Sequence, residues 1–86
     1  MDDAQIEARI DALEQEEQRL RKDEERQAEQ GHTEVVGEDA GRLAAIKVEL
    51  DRTYDLLHQR DARRAAGLDP RDAEERPAEI VESYQQ

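Results

Sequence analysis

The stretch RLAAIKVELDRTYDLLHQRDARRAAG, residues 42–67, decides the fold. Leu43, Ile46, Leu50, Thr53 and Leu57 recur at steps of three and four, so they share one face of an α-helix, and Tyr54 and Leu56 widen that face. Gly67 reads as the residue just past the helix end. A single amphipathic helix cannot bury its own stripe, so the rest of the chain must supply a cover.

Upstream, residues 2–30 contain strong helix formers and no glycine or proline. Ile6, Ile10, Leu13 and Leu20 fall on a heptad seam, with Glu17 and Glu24 at seam positions where apolar residues would be expected. Asp2 and Asp3 suit the positive end of the helix dipole, and Gly31 suits its C-terminal exit. The segment GHTEVVGEDAG, residues 31–41, carries three of the four glycines and reads as the connection. Two starts for the second helix stay open: Thr33 as N-cap, or a regular helix only after Gly37.

Downstream, Asp69 followed by Pro70 signals a new short helix. Pro77 breaks or restarts it. Ile80, Val81 and Tyr84 then share a face. The expected fold is all-α: an antiparallel helical hairpin over residues 1–66, with residues 67–86 forming a short helix and tail docked on it.

A connection centred near residue 34 makes facing residue numbers sum to about 67, as expected for an antiparallel helical hairpin. Leu20 then faces Ile46, Leu13 faces Tyr54 and Ile10 faces Leu57. The same register sets Arg60 opposite Glu7 and Arg64 opposite Asp3, with Arg63 near Asp2 and Asp3. The cluster Arg60, Arg63 and Arg64 therefore reads as register-setting ion pairs with Asp3 and Glu7, not as a phosphate or nucleic-acid site. No aromatic residues interleave with the arginines, and Asp55 and Asp61 interrupt them.

Composition narrows the function. Of 86 residues, 35% are apolar and 43% charged, the net charge is −11, and there is no cysteine, phenylalanine or tryptophan. That charge repels nucleic acid and anionic membranes, so neither is an expected partner. The longest large apolar run, Leu43 to Ile46, falls far short of the roughly 20 residues that span a bilayer. MDDAQIEARI lacks the basic and apolar regions of a secretory signal, so a cytoplasmic location is expected.

Catalysis is not expected. Ser83 is the only serine, no cysteine can pair with His32 or His58, and the glycines at 31, 37 and 41 match no phosphate-loop spacing. No cofactor or metal is expected. The nearest approach to a bundle metal motif is Asp55-Leu56-Leu57-His58, together with Glu17 on the seam. The simpler expectation for Glu17 is a register-setting acid satisfied by Lys47, Arg52 or Tyr54.

The second helix carries more apolar surface than the first can hide. The cover is the tail, a second copy in a homodimer, or another helical protein. The expected interaction surface is Leu43, Ile46, Leu50, Tyr54 and Leu57, with Ile80, Val81 and Tyr84 covering it or joining it. The function expected is that of an adaptor or regulatory protein-interaction module. An acidic decoy, mimicking nucleic acid toward a basic partner, is the alternative, and a carboxylate metal-binding protein is a more distant one.

Three stretches, IEARIDALEQEEQRL, VELDRTYDLLHQRDARRAAGLDP and RPAEIVESYQQ, resemble a family of small actinobacterial proteins catalogued as a domain of unknown function. The resemblance spans nearly the whole chain apart from residues 31–41. It implies an actinobacterial, cytoplasmic origin, and it carries over no activity, cofactor or site residue.

Overall fold

The computed structural model describes residues 2–31 and 33–83, with side chains at all of these except 33–36. All regular structure among them is helical: α1 spans Asp3–Glu29, α2 spans Thr33–Ala65, a 3₁₀ turn spans Pro70–Asp72 and α3 spans Ala78–Ser83. The two long helices form an antiparallel hairpin within an elongated molecule of 55 × 26 × 15 Å. Residues 67–83 fold back along α2 as a strap.

Each turn of direction has a local cause. Asp2 accepts the Gln5 backbone N–H at 2.8 Å while the Gln5 side chain accepts the Asp2 N–H at 2.9 Å, a reciprocal cap that starts α1. Gly31 takes a φ of 77° and ends α1. Gly67, at φ 74°, ends α2: its N–H donates to the Arg64 carbonyl at 3.0 Å and the Leu68 N–H to Arg63 at 2.8 Å, which satisfies carbonyls the helix leaves open. Pro70 follows its cap Asp69, but the segment closes only one 3₁₀ turn, is extended at Ala73 and carries no regular structure through Pro77. The Pro77 carbonyl then accepts from Ile80 and Val81 and so opens α3.

The core lies toward one end. Ile6, Ile10 and Leu13 of α1 pack with Ile46, Leu50 and Leu56 of α2, with Leu20, Leu57 and Ala73 half-buried against them. Ile6 and Ile46 are fully shielded, and each contributes roughly 1.5–3 kcal/mol by leaving water. Beyond Leu13 the described part of α1 has no buried residue, and α2 has none before Ile46 among the described side chains.

Two expectations need correction. The connection is not residues 31–41: α2 runs from Thr33 straight through Gly37 and Gly41. Gly31 already makes the turn, and continuing an existing helix through a glycine costs about 1 kcal/mol, less than starting a new one. A turn centred near residue 31 rather than 34 also slides the register by about one helical turn. Arg60 consequently meets Asp3, not Glu7, while the expected Arg64–Asp3 pair forms.

Candidate interaction surface

On α2, Arg52, Leu56, Gln59 and Arg63 are spaced by four, three and four and occupy one face. That face receives the strap. Arg52 Nε donates to the Arg76 carbonyl at 2.9 Å, Gln59 Nε2 to Glu74 at 2.9 Å, Arg60 Nη1 to Pro70 at 3.1 Å and Arg63 Nε to Asp69 at 2.6 Å. The acceptors run backward along the strap as the donors run forward along the helix. The Glu74 and Arg76 carbonyls lie outside any helix and are supplied by this ladder, while those of Asp69 and Pro70 also accept from Asp72 and Ala73 within the 3₁₀ turn. Asp55 adds the specific anchor, accepting from Arg76 at 2.6 and 2.8 Å and from Gln59 at 2.9 Å. The Arg76 guanidinium holds the Asp55 carboxyl below its ordinary pKa despite the group's partial burial.

Arg60 is 5% exposed and joins three parts of the chain. It donates to Asp3 of α1 at 2.7 Å as well as to the strap. Arg64 also pairs with Asp3, and with Asp61 at 2.9 Å. Arg64 first, and then Arg60, depress the Asp3 pKa by hydrogen bonding to its carboxylate. In the strap itself, Arg71 binds Asp69 through side chain and backbone and holds that carboxyl down at about 2. The arginines of the last turns of α2 are thus engaged by the chain's own carboxylates and carbonyls.

The turn end is built differently. Arg42 reaches Glu16 at 2.6 and 2.9 Å, and this bond lowers the Glu16 pKa. Asp23 and Asp39 face each other across the helices. The Asp39 carboxyl shares a hydrogen bond with Asp23 and lies near Glu24 and Glu38, so it keeps its proton to higher pH than a free aspartate. Asp23 accepts from Asp39 and from Arg26 at 2.6 Å, and its pKa is lowered. Asp39 Oδ2 is closed off from solvent with no donor among the described residues.

The expected surface residues separate into three groups. Ile46 and Leu50 lie in the chain's own core, because α1 covers them, and they do not form a free surface. Leu43 and Leu57 are half-buried, and Val81 is buried where α3 meets the hairpin. Tyr54 at 37%, Ile80 at 44% and Leu68 at 53% are the exposed large apolar residues. Tyr84 falls outside the described residues, as does His32. The Tyr54 hydroxyl donates to Glu14 at 2.6 Å, which raises its pKa. Glu17 pairs with Arg21 one turn along α1, at 3.8 Å, and not with Lys47, Arg52 or Tyr54. Lys47 lies between Asp51 at 2.8 Å and Glu82 at 3.6 Å. No group of three or more metal-ligating side chains forms among the described residues, and no described helix is long and apolar enough to cross a membrane.

The family model described as "Protein of unknown function (DUF2630)" matches residues 2–86. The chain belongs to this family. Uncharacterized proteins of Mycobacterium bovis and of two strains of Mycobacterium tuberculosis are each 51% identical to it over 47 residues, covering 55% of this chain and 54% of theirs. The match thus spans about half the length of these relatives. No solved structure matches the chain.

The sequence reading missed the strap ladder. Its donors do share a helix face, but its acceptors are main-chain carbonyls, which carry no side-chain signature. The Asp55–Arg76 pair, 21 residues apart, gives no local signal either. Leu68 was missed as an exposed apolar residue because it follows a helix-ending glycine and looks like part of the turn.

Proposed function

We propose that this family member is a non-enzymatic interaction module, an adaptor or regulator that binds a helical protein or a second copy of itself. The observation that carries this reading is the exposure of Leu68, Ile80 and Tyr54 on so small a chain. Scattered apolar residues are ordinary on a surface, but here the large ones are scarce and the core holds few of them. The strap covers one flank of α2 and leaves Ile80 outward on α3. The proposed setting is the cytoplasm, and the net charge of −11 supports excluding nucleic acid and anionic membrane as partners.

Light scattering across a concentration range tests the reading. Self-association that disappears in Ile80→Glu or Leu68→Glu, with the helical circular dichroism spectrum retained, is the expected result. Unchanged behaviour of both variants in self-association and in partner binding contradicts it.

The acidic-decoy reading has one observation of its own. Arg60, Arg63, Arg64 and Arg76 are all engaged within the chain, so their charge is neutralised locally and the surplus carboxylates define the outer field. Binding to a basic protein that weakens steeply with salt and ignores Ile80→Glu would favour it.

A further inference from the structure

The strap is held by bonds that do not depend on which chain supplies it. Four α2 side chains bind its main-chain carbonyls, and Asp55 binds Arg76. Its apolar anchorage is small: Val81 is buried and Ala73 half-buried. Toward α1 it offers the longer Arg9–Glu75 pair, at 3.8 Å. The hairpin core of Ile6, Ile10, Leu13, Ile46 and Leu50 is made by α1 and α2, so the strap can leave without dismantling it. Departure nevertheless uncovers Leu56 and leaves Asp55 and Arg60 short of partners, so the vacated face calls for a replacement. The strap joins α2 through Gly67, whose positive φ sets the reversal, and through the exposed Leu68. A short hinge whose straightening turns the segment outward is the arrangement from which identical elements exchange between chains.

We propose that residues 69–83 are an exchangeable strap, and that the Arg52–Arg63 face of α2 receives the same segment from a second copy of this chain to give a reciprocal dimer. The occupant is a second copy because the face fits the strap's own features: carbonyls in reverse order, and an arginine placed on Asp55. The proposal goes beyond the apolar-surface reading and does not rest on it, since Ile80 and Leu68 are outside the bonds it uses.

The experiment mixes two full-length variants, Asp55→Arg and Arg76→Glu. Alone, each sets like charges against each other at the anchor, in one chain or in a dimer of identical chains. Together, an exchanged heterodimer restores opposite charges at both anchors. The expected result is a species of twice the 9.9 kDa chain mass that forms on mixing and not in either variant alone, with helicity regained if the single variants lose it. The double variant in one chain restores the pair within the monomer and serves as the folded control. Gly67→Ala, strained at positive φ, is expected to dimerise at lower concentration than the parent. A mixture that keeps the mass of single chains, variants that dimerise equally well alone, or a Gly67→Ala chain no more dimeric than the parent overturns the proposal.

Discussion

At the end where the chain closes, Ile6 is fully buried, Arg60 is nearly so, and Asp3 bridges two arginines; at the end where it turns, Asp23 faces Asp39, and Gly37 and Gly41 lie on α2 with nothing within 4 Å of an added Cβ. The same two helices run through both ends. What differs is what each end was given to bury. Opposite charges and buried apolar side chains converge at the closed end, whereas the other has the Arg42–Glu16 pair beside the like pair Asp23 and Asp39 and no buried residue among the described side chains. Length of contact is therefore a poor guide to where a hairpin is held, and the place where apolar side chains are buried across the seam is a better one.

The comparison can be broken by substitution. The largest effect belongs to the core: Leu50→Asp buries an unpaired carboxylate where α1 covers α2 and should abolish the cooperative melt followed by circular dichroism. A melt close to that of the parent would mean that the core is elsewhere. Next comes Arg60→Ala, which removes charged hydrogen bonds to Asp3 and to the Pro70 carbonyl and should cost about 1.5–3 kcal/mol in urea unfolding. Arg60→Lys should recover only part of this, because a single ammonium does not reproduce the guanidinium fork.

At the turn end the sign reverses. Gly37→Ala and Gly41→Ala should each stabilise by about 0.5–1 kcal/mol, since both lie inside α2, neither has a positive φ, and neither Cβ meets an obstacle. A loss of stability would place the true start of α2 after these glycines.

The smallest effects are those of pH, and Asp39 should answer in the opposite direction to Asp3, Asp55 and Asp69. Asp3, Asp55 and Asp69 have depressed pKa values in the folded chain. Their stabilisation is complete above the ordinary aspartate pKa of about 3.9 and is lost as pH falls through the folded values, which for Asp69 is about 2. Asp39 has a raised pKa, so its contribution favours folding at low pH and is lost as pH rises through the folded value. Asp39→Asn should therefore raise the Tm slightly at pH 7 and leave it unchanged near pH 3, a pattern that thermal melts at the two pH values would show. An equal change at both would mean that Asp23 and Asp39 do not repel.

The hairpin itself was legible. The three- and four-residue steps of Ile6, Ile10 and Leu13 and of Ile46 and Leu50 depend only on helical geometry, and two stripes joined by a short connection leave few alternatives. The register was legible only to within a turn, because it depended on which glycine makes the reversal, and composition favoured the wrong centre. Arg60 meeting Asp3 instead of Glu7 is the direct consequence. The strap was legible as a tail after Gly67, yet its mode of attachment was not, since arginines whose expected partners are carboxylates of α1 also bind backbone carbonyls of the strap. Of the expected surface, Ile80 and Tyr54 are outward and Ile46 and Leu50 are not, because sequence periodicity shows which residues are apolar together and not how much a narrow, polar α1 can cover.

Hydrogen exchange resolved along the chain at neutral pH tests most directly the claim that the hairpin is fastened at one end. Amides around Ile6–Leu13 and Ile46–Arg60 should exchange only through global unfolding, while those of Leu20–Gln27 and Gly37–Arg42 should exchange much faster through local opening. Equal protection along both helices, or slower exchange at Gly37–Arg42 than at Ile46–Arg60, would contradict it.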